Sequence, residues 1–342
     1  YHFGSGNERS NVDNDTMWWY AGGRLISYVK LRHSWYREKM SNLFIIGNGF
    51  DLSHGIKSSY RDFREYLQEQ YDPTKHEVYD IPTINWEHTY DYSDIADFWF
   101  NVFDANNDDI EWSKFENSLY GQNYGDCFSE MVMDRDGEEN LLKTAWNNES
   151  LSKSIVEIVP FINRFFTEWI NQVEIDDVKP RKEFQELIDH NKDIFLSMNY
   201  TLTLEKVYNI SKVCHIHGKI GEDFIFGHGE DESLYEKYEK ENIGTEFYLS
   251  GIDRALRKNV QNALKTHHSF FELLGKTPVE KIYSYGFSYG KADLIYVQEI
   301  AKSLSRNVVW YLNSFDDANG RNSTFEYSIR ACGFRGGFDR FG

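Results

Sequence analysis

The sequence predicts an α/β protein: a parallel sheet flanked by helices, with a large helical insertion after the first strand–helix unit. Three observations lead there. Leu43-Phe44-Ile45-Ile46-Gly47-Asn48-Gly49-Phe50-Asp51 runs four apolar residues into a Gly-x-Gly turn, and Tyr60, Phe63, Tyr66 and Leu67 follow at helical spacing. Short apolar strands return after residue 190 and alternate with helical patterns, which builds a parallel sheet covered on both faces. Between 72 and 190 strand patterns are scarce, while aromatic residues at helical spacing are frequent.

Composition narrows the function classes. The 342 residues suit one large domain with an insertion, or two domains. Lys and Arg number 37 against 55 Asp and Glu, a formal charge of −18. Such a surface opposes non-specific binding to nucleic acid or anionic lipid, although a local basic pocket for a phosphate remains compatible with it. Cys127, Cys214 and Cys332 are far apart and form no C-x-x-C pair. They point to a reducing cytoplasm, with neither a disulfide framework nor a structural zinc site. No apolar run approaches the roughly 20 residues of a membrane helix, and nothing reads as a secretory leader.

Taken in order, residues 1–39 stand apart as an N-terminal extension. They are polar at first, then aromatic and basic with Arg24, Lys30, Arg32, Arg37 and Lys39. They read either as an arm for a partner or as an addition foreign to the domain. The first strand opens after Met40. Its glycines permit a sharp turn and a close backbone approach, and the start of the next helix can face a phosphate. This is the opening unit of a Rossmann-like nucleotide-binding domain, to which 40–71 and 190–315 are assigned. Residues 72–189 form the helical insertion, with a core expected from Trp86, Trp99, Phe100, Trp112, Phe115, Leu119, Trp146, Phe165, Phe166 and Trp169. Strands are then expected at Asp193–Met198, Val213–Gly218 with its loop, Phe224–Gly229, Lys281–Gly286 and Asn307–Leu312, with helices from Ser233 to Leu274 and through Leu294, Val297 and Ile300. Residues 316–342 are a C-terminal tail whose Gly/Phe/Arg-rich end reads as mobile.

Four loops follow strand ends: Gly47-Asn48-Gly49-Phe50-Asp51, Asn199-Tyr200-Thr201, His217-Gly218 and Gly286-Phe287-Ser288. In a parallel sheet they converge on one crevice at the carboxyl ends of the strands. There a neutral imidazole can take a proton near pH 7, and an asparagine can orient a water without adding charge. Blander roles compete. Asn199 suits a cap of the helix through Leu204. His215, one of two alternating histidines, suits a core hydrogen bond. His54 and His228 suit loops, and Glu116 suits helix packing or the crevice. The histidines and carboxylates lack metal-ligand spacing, so no metal is expected. Gly286-Phe287-Ser288-Tyr289-Gly290 has the letters of a nucleophile elbow, but no histidine follows His268 to complete a hydrolase triad.

Leu43 to Asp51, Trp112-x-x-Phe115-Glu116, Ser197-Met198-Asn199-Tyr200-Thr201-x-x-Leu204-Glu205, His215-Ile216-His217-Gly218 and Tyr285-Gly286-Phe287-Ser288-x-x-x-Ala292-Asp293 together resemble the abortive-infection AbiH family of bacterial phage-defence proteins. The order of motifs is more distantly similar to sirtuin-like domains of bacterial immune systems. That second resemblance implies an NAD site. Asn199 would hold the nicotinamide ribose or the attacking water, and His217 would act as general base on the ribose hydroxyls. Gly47, Asn48, Gly49 and Asp51 would line phosphates and ribose, with Ser288 and Asp293 near the adenosine side. Thr201 stands where those domains carry an aspartate, and the four zinc cysteines of deacylating sirtuins are absent. The expectation is an abortive-infection effector that hydrolyses NAD, its substrate, to nicotinamide and ADP-ribose. It would be held in check in a homo-oligomer or heteromeric defence complex and released by a phage-derived trigger. The alternatives are a non-catalytic nucleotide-binding sensor or assembly module, and a partner-dependent nuclease effector.

Overall fold

A computed structural model describes residues 40–71 and 112–342, apart from 123, 125–127, 129–130, 160 and 319, together with the short pieces 18–21, 24–27, 95–96 and 98–99. Trp86, Phe100 and Cys127, and most of the 1–39 extension, lie outside the described residues. Within that extension, Trp18–Ala21 and Arg24–Ser27 pair as an antiparallel hairpin separate from the main sheet.

The main sheet has six strands, all parallel: β1 (Ser41–Ile46), β2 (Ile194–Ser197), β3 (Val213–His215), β4 (Val279–Tyr285), β5 (Val309–Asn313) and β6 (Gly337–Phe341). Their order is β3-β2-β1-β4-β5-β6. The chain leaves central β1 to build one side, then returns to build the other, so the order switches between β1 and β4. This is the strand order of doubly wound dinucleotide-binding folds. It fixes the fold class and singles out no particular family within it.

β1 reads as an unbroken apolar run because both of its faces are covered. Leu43 and Ile45 join Leu196, Ile282, Trp310 and Leu312 under helices α10 (Val260–Thr266), α11 (His268–Lys276), α12 (Leu294–Ser303) and α14 (Asn322–Ala331). On the opposite face Phe44 stacks between Phe195 at 5.2 Å and Tyr283 at 5.0 Å, and Tyr283 stacks on Tyr311 at 4.9 Å. Four aromatic rings thus cross four adjacent strands in register. Phe184 of α6 (Lys182–Leu187) and Leu204, Val207 and Tyr208 of α7 (Thr203–Tyr208) complete that face.

The remaining helices form a body with its own core: α2 (Tyr60–Tyr71), α3 (Trp112–Ser118), α4 (Leu141–Ile158) and α5 (Phe161–Ile170), joined by α8 (Tyr235–Glu241) and α9 (Glu246–Ala255). Among its described residues the insertion carries helices α3 to α6, with an isolated β-bridge Met133↔Glu139 between α3 and α4. Trp146 is not in its core, however. The buried positions of α4 are Thr144, Asn148, Leu151, Ser152, Ile155 and Ile158, and Trp146 falls on the opposite face, 59% exposed.

Two further expectations give way. Phe224–Gly229 forms no strand, only an isolated bridge from His228 to Arg257. Phe224 and Phe226 turn to the helical body, packing on Phe166 at 5.7 and 5.2 Å. Conversely, the end of the tail expected to be mobile is edge strand β6, paired with β5 from Val309↔Gly337 to Asn313↔Phe341. Arg340 is held by Glu326 at 2.7 Å.

Candidate functional site

The loops at the carboxyl ends of β1, β2, β4 and β5, together with His217 just beyond β3, open on one cavity of about 940 Å³, closed from the other side by the helical body. Volume and placement suit a small-molecule site at the switch in strand order. Gly47, Asn48, Gly49, Asp51, Asn199, His217, Ser288 and Asp293 all line it. His54, His215 and His228 do not.

The Gly-x-Gly turn is shaped first by its neighbour in the protein. Gly47 N–H donates to Tyr285 O at 2.9 Å and Gly49 N–H to Gly286 O at 3.0 Å. A Cβ on Gly47 would lie 2.6 Å from Phe287 Cα, and one on Gly49 2.7 Å from Gly286 Cα. The glycines therefore let the loops after β1 and β4 touch backbone to backbone. The helix that follows, α1 (Asn48–Ser53), spans only six residues. Asn48 Oδ1 accepts the Ser58 hydroxyl at 2.8 Å, and Ser58 O in turn accepts Trp112 Nε1 at 2.7 Å, tying the turn to the helical body.

Asp51 is fully enclosed. Its carboxylate accepts hydroxyls from Thr201 at 2.5 Å and Thr203 at 2.8 Å. Burial pushes the Asp51 carboxyl up to about 6, against the lowering effect of those hydrogen bonds and of Asn199. Asn199 Nδ2 also donates to Gly47 O at 3.0 Å, so its amide N–H groups are directed at the first loop. His215 sits behind this layer, with Nδ1 2.9 Å from Asn199 O and Nε2 2.8 Å from Glu205 Oε1. Its role is the core hydrogen bond that the alternation with His217 suggests.

A buried charged cluster forms the deep end. Lys258 Nζ lies 3.0 Å from Glu116 Oε1 and 3.0 Å from Asp293 Oδ1. His217 Nε2 lies 3.2 Å from that same Asp293 oxygen, and His217 Nδ1 3.2 Å from Met198 O. Neither His217 Nε2 nor Asp293 Oδ1 has a well-aligned hydrogen bond within the protein. Burial would raise the Asp293 carboxyl, but the Lys258 ammonium and the His217 ring outweigh it and hold that group well below the usual carboxylate range. Burial likewise disfavours charge on Lys258, and Asp293 and Glu116 overcome it, so the ammonium stays protonated. Glu116 goes the other way: burial, with Asp293 adding to it, lifts its carboxyl despite Lys258. Tyr200 stands against His217, ring centroids 6.3 Å apart.

Sequence reasoning missed Lys258, which lies in no motif and takes its meaning only from Glu116 and Asp293, 142 and 35 positions away in the chain. It also missed Arg61, Arg181 and Arg321 on the cavity wall. With Lys258 they set four cations against Asp51, Glu116, Asp293 and Asp316, a local balance in a chain that is strongly acidic overall. Among the described residues no group of histidine, cysteine and carboxylate side chains could hold a metal, and no helix is long and apolar enough to cross a membrane.

The profile of the family described as "Bacteriophage abortive infection AbiH" matches residues 43–314, from within β1 to the residue just past β5. The chain belongs to the AbiH family. The match takes in every cavity residue discussed above except Asp316 and Arg321, so the deep end of the cavity lies inside the matched region of this AbiH protein. Membership associates it with abortive infection, the phage-defence response for which the family is named. No curated protein and no solved structure matches this AbiH chain.

Proposed function

We propose that this AbiH protein is a phage-defence effector whose cavity binds NAD and hydrolyses it to nicotinamide and ADP-ribose. The observation that carries the reading is that Asn199 and His217, from different strand ends, line one cavity at the switch in strand order. The balanced charge of the wall admits a dinucleotide's phosphates despite the acidity of the chain.

In this reading the nicotinamide–ribose C–N bond breaks with its electron pair leaving on the neutral nicotinamide. A water oxygen forms the new bond to the ribose carbon, and the water proton is released. Asn199, its N–H groups turned to Gly47 O and Asp51, presents its carbonyl oxygen to that water. Met198 O accepts a hydrogen bond from His217 Nδ1–H, Nε2 takes the proton of a ligand hydroxyl or of water as positive charge builds on the sugar, and the imidazolium so formed faces the Asp293 carboxylate. Activity would be gated by assembly in a homo-oligomer or a defence complex and by a phage-derived trigger.

The test is incubation of the purified protein with NAD, alone and with candidate triggers, with nicotinamide and ADP-ribose quantified. Asn199→Ala and His217→Ala should each lower turnover about 100-fold or more. Undiminished turnover in both variants would falsify the assignment. A second reading is favoured by one observation: Thr201 and Thr203 occupy the Asp51 carboxylate. The cavity would then bind the nucleotide as a sensor or assembly module. Tight NAD binding by calorimetry, with no product after long incubation, selects it.

A further inference from the structure

The deep end of the cavity is built from three separate parts of the chain. Glu116 comes from α3 of the helical body, Lys258 from the segment between α9 and α10, and His217 and Asp293 from the sheet side. One buried ammonium joins a carboxylate of each layer, 3.0 Å from Glu116 and 3.0 Å from Asp293. The Asp293 oxygen it holds is the one that faces His217 Nε2 at 3.2 Å.

We infer that Lys258 is the positioning residue of this site: it clamps the helical body to the sheet and, through Asp293, fixes the orientation of the His217 ring. The geometry calls for a cation in this place. A buried carboxylate without its cation rotates or takes up a proton, and either change removes the partner that faces Nε2. The Nδ1 contact to Met198 O holds one edge of the ring at 3.2 Å, and the other edge faces the Asp293 carboxylate at the same distance, so the charge that Lys258 keeps in place sets where Nε2 points. Tyr296, whose ring lies 5.5 Å from His217, and Tyr200 at 6.3 Å limit the tilt of the ring without supplying a hydrogen bond to it. Glu116 completes the clamp by balancing Lys258, so the pair would not form with the helical body undocked. The site is then whole only when the helical body sits on the sheet, which makes that docking the natural point of control.

The kinetic arm of the test rests on reading the cavity as a site of NAD cleavage; the spectroscopic arm does not. Lys258→Met, Lys258→Arg and Glu116→Gln are made in the full chain, with His217→Gln used to assign the ring resonances. Long-range proton–nitrogen NMR on histidine-labelled protein follows the side-chain nitrogens. Lys258→Met should move the His217 Nε2 resonance and leave those of His54 and His228 in place. In turnover, Lys258→Met should lower kcat by about 100-fold with KM changed less than threefold, and Lys258→Arg should recover at least tenfold of that loss. Should Lys258→Met fail to fold, Glu116→Gln serves instead, with a smaller movement of the same resonance and about a tenfold fall in kcat. An unmoved His217 resonance in the folded variant overturns the inference whether or not the wild type cleaves NAD. A wild type that cleaves no NAD, with the resonance still displaced by Lys258→Met, removes the proposed reaction and leaves the clamp standing.

Discussion

The Thr201 hydroxyl donates to Asp51 Oδ2 at 2.5 Å, bridging the loops that leave β1 and β2. Thr203 closes the other oxygen at 2.8 Å. Thr201 thus serves as a hydrogen-bond donor to a buried acid from the neighbouring loop. A second carboxylate at 201 would face Asp51 as a like charge.

This pairing has a pH signature. The folded Asp51 carboxyl is raised to about 6 by burial, against about 3.9 in an unfolded chain. Between those values the folded state holds the extra proton, so the contribution of Asp51 to stability is full below about pH 4 and declines as pH rises to about 6. The difference in unfolding free energy between wild type and Asp51→Asn should therefore be about 2 kcal/mol more favourable to the wild type at pH 4 than at pH 7. Urea denaturation of both proteins at the two values checks it. A difference that does not change with pH would show that Asp51 is not enclosed as described.

The glycine turn makes a steric prediction. Gly47→Ala drives a methyl to 2.6 Å from Phe287 Cα, where both sides are backbone and neither can yield. It should cost about 3 kcal/mol. Gly251, inside α9 with nothing near its would-be Cβ, gives the opposite sign: Gly251→Ala should add about 0.5–1 kcal/mol by helix propensity. Thermal melts of the two variants decide it. A Gly47→Ala protein as stable as wild type would mean that the loops after β1 and β4 do not touch.

What the sequence made legible follows from what is local. The apolar run of β1, the glycine turn and the strand-end positions of Asn199 and His217 are all encoded within a few residues, and each lies where that local pattern puts it. Lys258 was invisible because its significance is long-range. No spacing rule links it to Glu116 and Asp293. The run that opens at Phe224 misled because consecutive apolar residues describe surfaces to be covered, and here Phe224 and Phe226 are covered by the helical body and Ile225 by the sheet-side core. β6 was hidden for the converse reason. Its glycines and arginine weaken the strand pattern, and only β5 beside it makes it a strand.

The two neighbouring histidines should separate stability from turnover. His215 is buried with both ring nitrogens on protein oxygens, and His215→Ala strands Asn199 O and Glu205. A loss of about 2–3 kcal/mol is expected, with the proposed NAD cleavage reduced about tenfold at most as Asn199 relaxes. His217→Gln should change the melting temperature little and abolish most turnover. Melting curves run beside product assays give the pattern. A stable but inactive His215→Ala protein would reverse the two roles.

The sheet edge provides the last prediction. Phe341, half-buried on β6, packs its ring on Tyr283 at 5.3 Å and on Tyr285 at 5.8 Å, continuing the aromatic face that crosses β2, β1, β4 and β5. Its backbone oxygen accepts the Ser314 hydroxyl at 3.1 Å, and Gly342 after it lines the cavity. A loose tail would leave stability unchanged on truncating this ring. A paired strand loses buried area and the ring contacts, so Phe341→Ala should cost about 1–2 kcal/mol, below the range for a fully buried phenylalanine. Amide exchange should locate the effect. In wild type the β5 and β6 amides that share the ladder should be protected, and in Phe341→Ala the protection of β6 should fall first, because an edge strand has a partner on one side only. Unprotected β6 amides in the wild type would remove the strand from the sheet and, with it, one wall of the cavity beyond Asn313.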